Sequence, residues 1–324
     1  MTFFWIFAGL ILLLFGAEFL VRGAVALARR LEVSEMLIGM TIVAYGTTTP
    51  ELVASLEAAL IGAPDIAVGT VVGSNIANIL LILGTSAVIF PIACKPRVLY
   101  RDGAVMLGVA LLFAVLGLSG ALTQWQGALM LAALIGFSIY AYVSERRGAA
   151  AAEIHSRGAE EIKEVPPTLW LALLSVIGGV AAVILGAHLL VTGAIELARA
   201  MGVSEAVIGL TLVAVGTSLP ELATATVAAY RRHSDVALGN VLGANIYNIL
   251  GIMGVVSVVS PLSIPAEIIR FDLWAMVAVT VALLAAIFLR RGLSRPLACA
   301  FLLVYAAYIV LKYDGFSGAA PGLG

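Results

Sequence analysis

Gly46-Thr47-Thr48-Thr49-Pro50-Glu51 is the stretch that decides the fold, because it returns 170 residues later as Gly216-Thr217-Ser218-Leu219-Pro220-Glu221. Each copy sets a glutamate, a proline and hydroxyl side chains inside an apolar run. A carboxylate at bilayer depth costs roughly 2.5 to 3.5 kcal/mol on insertion scales, so two at matching positions point to work on a charged solute. The same offset relates Gly16-Ala17, Leu20-Val21, Gly23-Ala24, Val33-Ser34-Glu35, Ile38-Gly39 and Thr41 to Gly186-Ala187, Leu190-Val191, Gly193-Ala194, Val203-Ser204-Glu205, Ile208-Gly209 and Thr211, without a gap. Chance does not give such agreement even in apolar sequence, so the chain carries an internal duplication.

Composition places the duplication in a membrane. Of 324 residues, 62% are hydrophobic and 11% charged, with a mean hydropathy of +1.11. Soluble domains carry about 25% charged residues, so the expected class is an all-α polytopic membrane protein. The net charge of -1 leaves no footprint for nucleic acid. The first apolar run, residues 3–28, lacks a basic leader and is too long for a signal peptide's apolar core, so it reads as a retained helix. Cys94 and Cys299 have no metal spacing and read as small apolar residues.

A membrane span needs about 20 apolar residues. Ten candidate spans follow, over 3–29, 35–62, 66–91, 101–118, 123–143, 168–199, 205–231, 235–260, 271–290 and 296–312. The one long polar segment, 144–167, separates a first five-helix repeat (1–143) from a second (168–324). An odd number of spans per repeat forces the halves into opposite orientations, the inverted-repeat plan of secondary transporters, whose substrate sites lie at the midplane between repeats. Basic residues orient the chain. With the N-terminus outside, the inner loops hold most of the Lys and Arg; Arg199, Arg270 and Lys312 fall outside, and Arg22 lies within the first span. The expectation is a cell (inner) membrane protein with both termini outside and a cytoplasmic linker.

The chemistry-bearing positions are few. Pro50 has no N–H and crowds the carbonyl of Gly46, so the second span should kink there and free backbone oxygens. Thr47 and Glu51, four apart, share a face. Carboxylate, hydroxyl and carbonyl oxygens are hard ligands, suited to Ca2+ or Na+. Gly216, Thr217, Pro220 and Glu221 repeat the arrangement. A partner motif follows each copy: Gly73-Ser74-Asn75-Ile76-Ala77-Asn78 and Gly243-Ala244-Asn245-Ile246-Tyr247-Asn248. Ser74 and Asn78 share a face, as do Ala244 and Asn248, whereas Asn75 and Asn245 lie about 60° round the helix and read as packing residues. Two glutamates and two amides converging would give a centre of charge -2, which one Ca2+, two Na+ or two protons would neutralise in mutually exclusive fashion.

These paired motifs resemble the two alpha repeats of the sodium/calcium exchangers, in the calcium:cation antiporter superfamily. The resemblance spans nearly the whole chain. It implies a Na+-driven Ca2+ antiporter without a cofactor, whose central site would be lined by Glu51, Asn78, Glu221 and Asn248. Thr47, Thr48, Ser74, Thr217 and Ser218 would supply hydroxyls to flanking Na+ sites, and Ala44 and Ala214 backbone carbonyls. The first and sixth helices would slide past the rest to alternate access. Two departures bear on ion choice: many relatives have aspartate where Asn248 stands and serine where Ala244 stands. The first removes a titratable carboxylate and the second a hydroxyl, which favours electroneutral exchange.

A neighbouring reading is H+/Ca2+ exchange, since two close carboxylates repel and a proton can compete with Ca2+ for them. A channel could use the same oxygens without counter-transport. An intramembrane enzyme would want a nucleophile or a metal cluster, and His155, His188 and His233 form none. Glu18 and Arg22, one turn apart, are expected to pair. Ser34 and Ser204 are expected to cap helices, and Asp65 and Asp235 to sit at helix starts. Glu57, six residues past Glu51, falls on a different face of the span, with the outer mouth as its alternative place. No obligate protein partner is implied beyond the ions and the bilayer.

Overall fold

The computed structural model describes residues 2–93, 99–151, 168–201 and 216–317, and within them the chain is almost entirely helical. In chain order the helices are α1 (Thr2–Leu31), α2 (Glu35–Thr47), α3 (Thr49–Leu60), α4 (Pro64–Ile89), α5 (99–117), α6 (Gln124–Ala151), α7 (Leu169–Ala200), α8 (Leu219–Tyr230), α9 (Ser234–Val259), α10 (Ile268–Arg290) and α11 (Arg295–Ser317). Among the described residues, seven helices are long and apolar enough to cross a membrane: α1, α4, α6, α7, α9, α10 and α11. Their outer faces carry Phe3, Phe7, Phe15, Trp170, Leu174 and Ile177 exposed. So broad an apolar exterior belongs against lipid, and the chain is a multi-pass α-helical membrane protein.

Local signals explain the helix ends. The Ser34 hydroxyl accepts the Leu37 N–H at 3.1 Å and starts α2. Its counterpart Ser204 lies outside the described residues, as do Glu205, Cys94, His155 and most of the polar linker. Pro50 and Pro64 stand in the first turns of α3 and α4, where a missing N–H has no intrahelical partner to lose. This shifts the expected break. The chain opens at Thr48 (φ -82°, ψ 2°), two residues before Pro50, and the new helix begins at Thr49. Ser218 has nearly the same backbone (φ -91°, ψ 4°) before α8. Inside α4 and α9 the winding widens to π-helical turns over Asn78–Leu83 and Tyr247–Met253. Such turns often mark functional positions, and here they begin at or beside the two motif asparagines.

Four two-residue strands, invisible in the apolar sequence, clamp the helix ends. They are β1 (Ile92–Ala93), β2 (Ala121–Leu122), β3 (Leu262–Ser263) and β4 (Gly292–Leu293). β1 pairs antiparallel with β4, and β2 with β3, so each pair joins the two halves of the chain. A 170-residue shift carries β1 onto β3 and, within one residue, β2 onto β4.

Two buried clusters divide the interior. The larger one gathers α2, α4, α5, α9 and α10 around residues such as Met40, Val71, Phe113, Leu238 and Met276. The smaller one joins Leu13, Ala17, Leu20 and Ala24 of α1 to Val176, Val183 and Ala187 of α7. These two helices run antiparallel and touch backbone to backbone. A Cβ at Gly9 would lie 2.7 Å from the Gly186 carbonyl oxygen, and one at Gly186 would lie 2.9 Å from that of Gly9. On the other side, a Cβ at Gly243 of α9 would collide with the Met40 carbonyl of α2. That close approach brings α9 against the Thr48 break.

Candidate ion-binding site

The site is built where the two broken helices meet the two π-turned ones. Glu51 leaves the first turn of α3 and is 2% exposed; Glu221, in the first turn of α8, is 1% exposed. Their carboxylates are close enough to act on each other electrostatically. Ser218 donates its hydroxyl to Glu51 Oε1 at 3.0 Å, and Ser74 Oγ lies 3.5 Å from Ser218 Oγ. On the mirror side, the hydroxyls of Thr48 and Thr47 neighbour the Glu221 carboxylate. Neither closes a hydrogen bond of normal geometry with it, since both Glu221 oxygens are without a partner. The hydroxyl of Thr47 instead donates to the Ala44 carbonyl at 3.3 Å and to Asn240 Oδ1 at 3.4 Å. Asn78 and Asn248, at 2% and 1% exposure, stand in the widened turns of α4 and α9, which pack against α8 and α3 respectively.

The unpartnered atoms define the chemistry. Glu51 Oε2, both carboxylate oxygens of Glu221, Asn78 Oδ1, Asn248 Oδ1 and Thr48 Oγ1 are buried with no hydrogen-bond partner in the protein. Leaving one buried acceptor unpaired costs about 1–3 kcal/mol, and more when it is charged. Carboxylate, amide and hydroxyl oxygens of this kind fit a hard cation, while Asn240 Nδ2 beside Thr47 is a buried donor without a partner. Among the described residues no group of three His, Cys, Asp or Glu side chains gathers to hold a metal.

A family model described as sodium/calcium exchanger protein matches residues 1–143 and 171–313. The chain belongs to the sodium/calcium exchanger family. It is 31% identical over 339 residues to the sodium/calcium exchanger MaX1 of Methanosarcina acetivorans, covering 94% of this chain and 96% of that one. It is 37% identical over 315 residues to a candidate antiporter, CaxA, of Alkalimonas amylolytica, covering 95% and 98%. A solved structure of the sodium-calcium exchanger NCX_Mj superposes with a TM-score of 0.84 at 32% identity, covering 96% of this chain and 98% of that one. This exchanger-family member is thus a membrane cation antiporter of the Ca2+-transporting kind, and its family is one of transporters rather than enzymes.

Of the positions singled out in the sequence of this exchanger-family chain, Glu51, Glu221, Thr48, Ser74, Ser218, Asn78 and Asn248 come together, with Thr47 and Ala44 alongside. Thr217 is half-buried beside them, and Ala214 lies outside the described residues. One polar residue at the site escaped the sequence reading, Asn240, fully buried against Thr47; Asn75 and Asn245, read as packing residues, bond across the helix pair to Asn248 and Asn78. No helical repeat marked Asn240 in the sequence, since it lies about 80° round α9 from Asn248. Glu18 does pair with Arg22, and it also holds Arg231 at 2.6 Å across 213 residues. Glu35 holds His233 at 2.8 Å. Glu57, Asp65 and His188 are exposed, and Cys299 is a free, exposed thiol facing outward.

Proposed function

We propose that this chain exchanges Ca2+ for Na+ by alternating access at a central site of Glu51, Asn78, Glu221 and Asn248. The single observation that carries the reading is the set of buried, unpartnered oxygens on those four side chains. Their summed charge of two carboxylates is that of one Ca2+ or two Na+, so the competing ions exclude one another by electroneutrality. Thr47, Thr48, Ser74, Thr217 and Ser218 supply hydroxyls beside the centre, and Ala44 and Ala214 supply carbonyls. With Asn at 248 and Ala at 244, the expected exchange is electroneutral. Ten spans in two inverted five-helix repeats (1–143 and 168–324, joined by 144–167) accord with the two strand pairs, each of which joins the two halves and is carried onto the other by the 170-residue offset to within one residue. The basic residues favour an inner membrane with both termini outside and the linker in the cytoplasm. The separate α1–α7 cluster suits a pair of helices that slides as a unit.

The test is isotopic Ca2+ uptake into proteoliposomes with Na+, K+ and H+ gradients imposed one at a time. Uptake driven by a Na+ gradient without a pH gradient supports the reading. No Ca2+ movement under that condition overturns Na+ as the coupling ion. The second reading, H+/Ca2+ exchange, is favoured by one feature: two mutually repelling carboxylates in a dry site. A pH gradient alone would then drive uptake. Currents reversing at the potential for three Na+ per Ca2+ would refute electroneutral exchange.

A further inference from the structure

The site amides pose a question that the central-site reading leaves open. An amide has two ends of opposite sense: its oxygen binds a cation and its NH2 repels one. In a dry site the choice between them depends on what holds the NH2. Asn78 donates its Nδ2 to Asn245 Oδ1 at 3.0 Å. Asn248 donates its Nδ2 to Asn75 Oδ1 at 3.4 Å. The two bonds are equivalent under the 170-residue offset, and each crosses from one half of the chain to the other. As a result Asn78 Oδ1 and Asn248 Oδ1 are left free and buried.

The next contacts fix the direction of the relay. Asn245 spends its own NH2 on the Asn75 carbonyl oxygen (3.4 Å) and on Met106 Sδ (3.7 Å). Asn75 directs its NH2 to Met276 Sδ (3.6 Å). A thioether sulfur accepts weakly and never donates, so neither outer amide gains by turning round. Every NH2 in the set of four is thus bonded to another amide, a backbone carbonyl or a thioether, and only the side-chain oxygens of Asn78 and Asn248 are left unpartnered. All four side chains are at most 2% exposed, so water does not compete for these bonds.

Resting on the central-site reading, we propose that Asn75 and Asn245 are positioning residues that set the ion affinity of the site: each holds the NH2 of the other half's site amide so that only oxygen faces the cation. Ca2+ takes six to eight oxygen ligands, so an amide freed to turn withdraws one of them. Asn245→Leu removes the acceptor with little change of volume. It should raise the Ca2+ half-saturation concentration about tenfold, the worth of a net hydrogen bond in a buried site, while turnover at saturating Ca2+ falls by less than about threefold. The mirror variant, Asn75→Leu, should do the same through Asn248.

The experiment measures isotopic Ca2+ binding and uptake by reconstituted full-length protein, for these variants alone and combined with Asn78→Leu. Because Asn245 acts through Asn78, adding Asn245→Leu to Asn78→Leu should change the half-saturation by no more than about twofold. Adding Asn75→Leu to Asn78→Leu should give its full effect. Packing alone would not produce this crossed pattern, since Asn75 lies on the same helix as Asn78. If Asn245→Leu does not reconstitute, Asn245→Ser, too short to reach Asn78 Nδ2, takes its place. Half-saturation unchanged in the single variants, or full additivity of Asn245→Leu with Asn78→Leu, overturns the proposal. Glu51→Gln in the same vesicles separates the two claims. Normal Ca2+ binding by Glu51→Gln sinks the central site itself, whereas loss there with unchanged Asn245→Leu and Asn75→Leu sinks only the positioning role.

Discussion

Glu51 and Glu221 are carboxylates shut away from water with three of their four oxygens unpartnered. Glu51→Gln and Glu221→Gln keep the shape and remove half the charge that a divalent ion needs. Each should weaken Ca2+ binding on the order of 100-fold or more, the scale of losing one member of a buried charge pair, and abolish exchange alike. Equilibrium binding of isotopic Ca2+ checks this. Asn248→Asp acts differently. It adds a third carboxylate and removes the NH2 that now bonds Asn75 Oδ1. Its effect should fall on the number of charges moved per Ca2+, or on pH dependence, more than on folding. Reversal potentials and thermal unfolding of the same preparation compare the two. These site residues were legible in sequence because duplication repeats them at one offset. Asn75 and Asn245 were legible only as packing residues, because helical periodicity gives the face a residue occupies, not the neighbour that meets it.

Among the elements, α1 and α7 stand apart. Glycines recur every seventh residue on both, at Gly9, Gly16 and Gly23 and at Gly179, Gly186 and Gly193, and all six face the partner helix. A heptad spacing keeps one stripe on one side of a helix, and a stripe without side chains leaves few knobs to lock the pair against its neighbour. A Cβ at Gly16 would lie 2.8 Å from Ala182 Cβ and 2.9 Å from Val183 N. Gly16→Val therefore overpacks the contact, at a cost of about 1–3 kcal/mol. Exchange should slow while Ca2+ binding at the distant site survives, as separate binding and uptake measurements would reveal. The sequence located these helices and part of their glycine repeat. It also placed the break of the second span near Pro50, but the break sits at Thr48, because a proline in the first turn starts α3 rather than bending it.

At the scale of the whole molecule, ion pairs tie both α1 and α2 to the turn between α8 and α9. Glu18 of α1 grips Arg231 just beyond α8, and Glu35 at the start of α2 grips His233 before α9. Arg231 is 45% exposed, so its ion pair is worth at most about 1 kcal/mol and weakens with salt. Arg231→Ala should change turnover by no more than about fivefold and leave the Ca2+ half-saturation in place; uptake rates at low and high ionic strength test it. By itself the sequence determined the class of molecule, the duplication, and the glutamates and asparagines that mark the site, because composition, period and repeat offset are properties of the chain read along its length. Only the tertiary structure decided which hydroxyl meets which carboxylate, which halves the short strands join, and which partner each amide NH2 meets. Those choices rest on hydrogen bonds between residues 167 and 173 positions apart, and only packing brings such residues within reach.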